Sequence, residues 1–431
     1  MRKVLIITYY WPPSGGSGVQ RWLKFSKYLP EFGWQPIVYT PENPEVFSKD
    51  RSLLKEVPDE AVVLKTPILE PYSLYRSFLG KKGGSGNDVN VINSGKKSLK
   101  ERLSLWIRAN FFIPDPRIWW KRRSVRFRKE YIKVNPVDVI VSTGPPQSMH
   151  LIARAVSNAT GTPWIADFRD PWTKIYHFAH LPLTDYSRKR HLKLEKQVFT
   201  QADGVIAVTP RMCDQIREVA PLQKIYCISN GYDISDYPAE TKPLDEKFTL
   251  VHTGVLPVDS NPEPLWKALA ELCENGPEGF KEDLRIVFAG KTDKAVMDSA
   301  LSYRLPVEDK GYLPHAETIA MQLSARVLIM PTKFSEEMKV ILLGKVFEYM
   351  VSGRPIISIG HTDSALNDIL TQTHTGVQYG WDDVEGIRLA ILEQYNEFKS
   401  APNATSKPSF LPEYERKNLT EVLAQVLEKT I

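Results

Sequence analysis

The chain has 431 residues, 42% hydrophobic and 25% charged, with 56 Lys and Arg against 51 Asp and Glu for a net charge of +5. That length exceeds what one core usually supports, and the composition excludes disordered, collagen-like and disulfide-scaffold classes. No run of about 18 apolar residues occurs, and the apolar stretch at 4–7 is too short for a secretory signal, so neither a spanning helix nor a signal peptide is expected.

From the N-terminus, short apolar strands alternate with amphipathic stretches. The first strand, 3–8, runs into Tyr9-Tyr10-Trp11-Pro12-Pro13-Ser14-Gly15-Gly16-Ser17-Gly18, a turn that opens a helix near Val19. Gly15 and Gly16 would let backbone amides approach an anion or a sugar oxygen there. The second strand, 35–39, ends Tyr39-Thr40-Pro41 with no acidic residue, and no Gly-x-Gly-x-x-Gly follows the first strand. Both features argue against a dinucleotide-dependent oxidoreductase. A third strand is expected at 61–64, and residues 80–98, rich in Gly and Lys, read as a mobile surface loop.

Residues 103–133 are aromatic and basic. Leu103, Leu105, Trp106, Ile107 and Phe111 to Ile113 precede Arg117, Lys121, Arg122, Arg123, Arg126, Arg128, Lys129 and Lys133, which interleave with Trp119, Trp120, Phe127 and Tyr131. Two readings stand: a solvated helix whose aromatics enter a core, or a peripheral contact with an anionic membrane or a phosphorylated lipid. A local patch without a recognition motif argues against nucleic acid. Residues 1–240 hold 36 Lys and Arg against 23 Asp and Glu, whereas 241–431 hold 20 against 28. A basic first half and an acidic second half suggest different partners for each.

Further strands are expected at 137–142, 163–166, 204–208 and 224–228. The pattern restarts after Asn230-Gly231-Tyr232-Asp233, with strands at 248–252, 284–289, 327–330, 355–359 and 376–379. Alternating strands and helices predict two doubly wound α/β domains with parallel sheets, at 1–235 and 245–405, and ligands at the carboxyl ends of the strands. A Pro-containing linker then leads to a final helix at 411–431. Cys213, Cys227 and Cys273 are odd in number and without metal-ligand spacing, which fits reduced thiols and a cytoplasmic location.

Lys345 and Glu348 lie three apart on one helical face, ahead of a Gly353-Arg354-Pro355 turn. A cation there suits phosphate and a carboxylate suits sugar hydroxyls, although an exposed ion pair explains the spacing equally well. His150, Asp167, Arg169 and Asp170 follow strand ends in the first half; an Asp167–Arg169 pair or a turn capped by Asp170 is the alternative to a catalytic role. His252, His315 and His361 are expected to be local hydrogen-bonders.

The Gly15-Gly16 loop, the segments 142–150 (Ser-Thr-Gly-Pro-Pro-Gln-Ser-Met-His) and 167–172 (Asp-Phe-Arg-Asp-Pro-Trp), Asn230-Gly231-Tyr232-Asp233, and the stretch from Lys345 to Pro355 together resemble a bacterial glycosyltransferase of family 4. The resemblance implies a GT-B fold, two Rossmann-like domains facing a cleft, with the acceptor side in the first, a nucleotide-sugar donor side in the second, and the final helix crossing back to the first. It implies that Glu348 holds ribose hydroxyls and that the nucleotide base meets backbone around Tyr312 and Leu313. The family's earlier Glu, eight positions before Glu348, is Val340 here, with Glu336 and Glu337 as nearby substitutes. The loop 254–262 carries no cation, which leaves Lys345 and Lys291 for the diphosphate.

Breaking a sugar–phosphate bond leaves a diphosphate whose charge must be stabilised as it forms. No Asp-x-Asp occurs, so metal-independent transfer is expected, and the resemblance implies retention of configuration. The expected activity is a hexosyltransferase type, from a UDP- or GDP-linked sugar to a saccharide or polyprenyl-phosphate-linked acceptor. It would act in cell-surface polysaccharide biosynthesis at the inner face of the cell membrane, with no cofactor. An inactive sugar-nucleotide or glycan binder, and a nucleotide-sugar epimerase of the same fold, are the alternatives.

Overall fold

The computed structural model describes residues 1–46, 49–70, 99–238 and 242–431; the loop expected at 80–98 lies outside them. The chain divides into two compact units, one of Met1–Asn230 with Arg416–Ile431 and one of Gly231–Glu415.

The first unit holds seven strands: β1 (Arg2–Ile7), β2 (Trp34–Pro41), β3 (Val62–Thr66), β4 (Val139–Gly144), β5 (Trp164–Phe168), β6 (Gly204–Ala207) and β7 (Ile225–Cys227). They form one sheet in the order β3-β2-β1-β4-β5-β6-β7, and the registered pairs are parallel throughout. The apolar runs explain this, because side chains alternate between faces along a strand and both faces are covered. In β1, Leu5 and Ile7 enter one core while Val4 and Ile6 enter the other. The strand order reverses between β1 and β4, which opens a crevice at their carboxyl ends.

Three helices matter for the site in this unit: α1 (Ser17–Tyr28), which follows β1, and the pair α2 (Leu99–Phe111) and α3 (Lys121–Val134). A fourth, α4 (Ser148–Thr160), follows β4. Its first turn is capped from outside, as Asp115 accepts hydrogen bonds from the Ser148 amide at 2.8 Å and the Ser148 hydroxyl at 2.9 Å.

The second unit repeats the plan. It carries a two-residue strand β8 (Lys242–Pro243), then β9 (Phe248–Leu256), β10 (Leu284–Thr292), β11 (Val307–Asp309), β12 (Val327–Pro331), β13 (Ile356–Ile359) and β14 (Gly376–Tyr379), and last β15 (Thr405–Ser406), which pairs antiparallel with β8. The main sheet runs β11-β10-β9-β12-β13-β14, again with its reversal beside the first strand of the sheet, β9. β9 and β10 continue past the ends expected at 252 and 289, and stay paired as far as Leu256 and Thr292. Glycine makes this continuation possible. Gly254 and Gly290 adopt φ of +94° and +134°, and a Cβ on Gly290 would sit inside contact distance of the Gly254 carbonyl. Helices α5 (His315–Ser324) and α6 (Lys345–Val351) cover this sheet near the carboxyl ends of β9 and β12.

The chain then returns to the first unit through α7 (Arg416–Glu428). Leu419, Leu423, Ala424, Val426 and Leu427 share a core with Trp22 and Phe25 of α1. Burying each of the larger side chains contributes on the order of 1.5–3 kcal/mol, so this helix is part of the first unit's stability.

One expectation is corrected here. Arg117 and Arg128 do not belong to an exposed basic patch. Arg117 is buried and pairs with Glu70 at 3.0 Å. Arg128 is fully buried, with its guanidinium 4.2 Å from the Tyr39 ring centroid and 3.9 Å from that of Phe127. Aromatic faces hold the cation electrostatically where water cannot reach it. Arg122, Arg123, Arg126, Lys129 and Lys133 do face solvent.

Candidate functional site

In the first unit, Asp167 is the penultimate residue of β5, and its carboxylate is wholly engaged. It accepts from Arg21 of α1 at 2.8, 3.1 and 3.2 Å, from Trp22 Nε1 at 2.7 Å and from Thr143 Oγ1 at 2.8 Å. Arg21 spends its other donors on the carbonyls of Ile228 and Ser229 and on Asn230. Burial alone would raise the Asp167 pKa, but the charge of Arg21 and these hydrogen bonds hold it below its usual value. Its partner is thus Arg21, not the Arg169 considered from spacing. Asp167 welds α1 to the sheet and to the segment 228–230.

Arg169 does something different. Its guanidinium donates to the carbonyls of Gly18 at 2.8 Å, Gly144 at 3.3 Å and Pro145, which ties the loop after β1 to the loop after β4 across the strand reversal. Asp170 beside it is partly exposed. Burial pushes its pKa up against the pull of Arg169, and among the described residues nothing hydrogen-bonds its carboxylate.

His150 is fully buried and stacks on Phe168 at 4.3 Å. Its Nδ1 is 2.8 Å from Ser142 Oγ, which also accepts from Trp164 Nε1. Burial lowers its pKa to about 3, so the ring is neutral near pH 7. Among the described residues its Nε2 and Gln147 Oε1 both lack a partner, and both lie 2.5 Å from where a Cβ on Gly144 would stand. Only glycine leaves that space. In the loop after β1, Gly16 has φ of +90° and no side chain caps α1, while Gly15 is partly buried beside it.

In the second unit, Lys345 and Glu348 do not pair with each other. Lys345 Nζ lies 3.0 Å from His252 Nε2 and 3.0 Å from the Thr253 carbonyl, both within β9. Glu348 accepts from Gln322 Nε2 at 3.0 Å and lies 3.3 Å from His315 Nε2, both on α5. Gln322 also donates to Thr253 Oγ1 at 3.0 Å, and the Tyr349 hydroxyl receives the Thr253 amide at 2.8 Å. The exposed-pair reading is set aside, since two different elements hold the cation and the carboxylate apart. Burial depresses the Lys345 pKa to about 7, opposed by Glu348.

Gly311 follows β11, and its carbonyl accepts from the Gly290 amide at 2.7 Å, so Gly254, Gly290 and Gly311 form a row at the strand ends. Lys291 is exposed on β10, Tyr312 is exposed and Leu313 half-buried beyond Gly311. Neither Lys291, Tyr312 nor Leu313 has a side-chain contact with the Lys345 and Glu348 cluster among the described interactions. Val340 is buried as an apolar residue, and Glu336 is taken up by Lys339 at 2.8 Å. Glu337 is partly buried and has no hydrogen-bond partner among the described residues.

Sequence reasoning missed Arg21, Thr253 and Gln322, and it gave His252 and His315 no ligand-side task. His315 and Gln322 are seven apart, two helical turns, so their shared face was readable; the other pairings join distant segments. Among the described residues no group of three His, Cys, Asp or Glu stands close enough to hold a metal ion.

Residues 83–236 match the family Glyco_transf_4, Glycosyltransferase Family 4. No curated protein matches the sequence. Among solved structures, a glycosyltransferase from Rickettsia africae ESF-5 is 12% identical with a TM-score of 0.56, over 100% of this chain and 94% of that one. WaaG, a glycosyltransferase involved in lipopolysaccharide biosynthesis, is 12% identical with a TM-score of 0.56 over 99% of both chains. A UDP-forming α,α-trehalose-phosphate synthase from Burkholderia xenovorans is 10% identical with a TM-score of 0.58, over 100% of this chain and 99% of that one. At such identities the shared property is the fold: the chain has the GT-B architecture of these solved structures, and its match to the Glycosyltransferase Family 4 model is confined to residues 83–236.

Proposed function

We propose that the chain transfers a sugar from a nucleoside-diphosphate donor to a saccharide or lipid-linked saccharide acceptor, with retention and without a metal. The observation that carries this is the separation of Lys345 from Glu348 by partners on different elements. An ammonium and a carboxylate held apart at strand ends suit a diphosphate and the ribose hydroxyls of one nucleotide. In the transfer, the acceptor hydroxyl oxygen bonds to the anomeric carbon, the carbon–oxygen bond to the diphosphate breaks, and the acceptor proton passes to the departing phosphate. Lys345 offsets the charge that develops on that phosphate. Asp170, with a free carboxylate beside Arg169, and His150, with a free Nε2 beside Gly144, are the first unit's candidates for contact with sugar hydroxyls. Asp167 supports them from behind.

The exposed face of α2 supports a peripheral membrane contact. Leu103, Trp106 and Phe111 are 52%, 39% and 69% exposed, and the exposed cations of α3 lie in the same segment. No described helix is long and apolar enough to cross a membrane.

The test is a panel of UDP- and GDP-linked sugars, scored for donor hydrolysis and transfer. Glu348→Gln removes a charged acceptor of sugar hydroxyls, a loss of about 1.5–3 kcal/mol or roughly 10- to 150-fold in donor affinity. Equal, slow hydrolysis by both proteins would overturn the proposal in favour of an inactive binder. Conversion of the donor sugar with no acceptor present would instead identify an epimerase.

A further inference from the structure

His252 is 1% exposed, and its two ring nitrogens have different tasks. Nδ1 lies 3.0 Å from the Ile329 carbonyl of β12, and a carbonyl only accepts, so the proton sits on Nδ1. That leaves a lone pair on Nε2, which points at Lys345 Nζ 3.0 Å away. The second acceptor of Lys345 is the Thr253 carbonyl, part of the same strand as His252. The amine is thus fixed against β9 by two neutral acceptors, and one of them is itself fixed to β12. Nothing crowds it from Gly254, whose Cβ, if present, would still be 3.9 Å away.

The consequence depends on charge. An ammonium has three hydrogens, so two go to His252 and Thr253 and the third is left for a ligand on the exposed side. An uncharged amine has two hydrogens, gives both to the same acceptors, and turns its lone pair outward. The first form attracts a phosphate oxygen and the second repels it. Among the described residues, the titratable groups that interact with this amine are His252 from β9 and Glu348 from α6; through Glu348 it meets His315 and Gln322 from α5, and Tyr349, bonded to Thr253, stands beside Glu348. Tyr237 also faces Glu348. Only Glu348 favours the charged form, and its carboxylate is already shared with α5.

We propose that His252, held as its Nδ1–H tautomer by the Ile329 carbonyl, is the positioning residue of the donor site, and that Lys345 takes up a proton from solution as it receives the diphosphate. This rests on the donor-site reading above and adds a partner and a proton to it. The depressed Lys345 pKa of about 7 agrees, since a diphosphate would restore the charge that burial removes.

The experiment is calorimetric titration of the full chain with UDP and with GDP, at pH 6.5 to 9 in buffers of different ionisation enthalpy. The terminal phosphate loses its last proton near pH 6, so it does not titrate through the upper part of this range. Above pH 7.5, affinity is expected to fall toward about tenfold per pH unit, with uptake approaching one proton per nucleotide at pH 8. Lys345→Arg stays charged and should show neither slope nor uptake. His252→Leu should weaken binding and change the proton uptake, while His252→Gln, which keeps an acceptor for Lys345, should recover part of both. Should His252→Leu fail to fold, the wild type and Lys345→Arg still decide the point. Binding without proton uptake, or an unchanged slope in Lys345→Arg, overturns the proposal while the donor site stands. Failure of the wild type to bind either nucleotide overturns the donor-site reading itself.

Discussion

Asp167→Asn separates a structural carboxylate from a chemical one. The substitution keeps the side chain's shape but removes its charge, and it sets an amide donor among three donor groups, the Arg21 guanidinium, Trp22 Nε1 and Thr143 Oγ1. Arg21 is 1% exposed, so its charge would be left without a counter-ion. Breaking a buried pair from one side costs about 3–5 kcal/mol. For domains of about 150–250 residues each kcal/mol moves Tm by about 2–4 °C, which gives a fall of roughly 6–20 °C. Calorimetry on the full chain would read it. The sign of the pH dependence follows from the depressed Asp167 pKa. A group of that kind contributes fully above its unfolded value of about 3.9, and the contribution is lost as pH falls through the lower folded value. The gap between wild type and variant should therefore be constant from pH 5 to 8 and close only in acid. Arg21→Met with Asp167→Leu should lose less than the two single changes added together, because no lone charge remains. A variant that melts within about 2 °C of wild type yet loses transfer would refute this reasoning and place Asp167 in the chemistry.

Two other outcomes are expected. Gly290→Ala meets the Gly254 carbonyl from a φ of +134°; strain of about 1–3 kcal/mol plus overpacking of similar size should lower Tm by several degrees and weaken nucleotide binding, and an unchanged Tm would show that the row of glycines tolerates side chains. Replacing Leu103, Trp106 and Phe111 of α2 with Ser should leave Tm nearly unchanged, because all three are exposed, while co-sedimentation with anionic vesicles drops at least about tenfold. Unchanged sedimentation would remove the membrane contact.

Both sheets were legible before the structure because their strands are continuous apolar runs bounded by turn residues. The exception is instructive. β11 (Val307–Asp309) is three residues long and reads Val-Glu-Asp, so it carries no periodic signal, and its place at the sheet edge comes from pairing with β10. The position of Lys345 and Glu348 on one helical turn was likewise readable, since that spacing is local.

What could not be read was partnership. Asp167 pairs with Arg21 across 146 residues, and Lys345 is held by His252 across 93. Arg117 and Arg128 looked like neighbours in a charged run, yet one is paired with Glu70 and the other is enclosed by aromatic rings. By itself the sequence determined the parallel α/β plan and roughly where its strands end, because hydrophobic periodicity and turn chemistry act over a few residues. Tertiary structure decided which charges are free to act there. A buried charge must find a partner wherever the fold brings one within about 3 Å, and that distance is unrelated to separation along the chain.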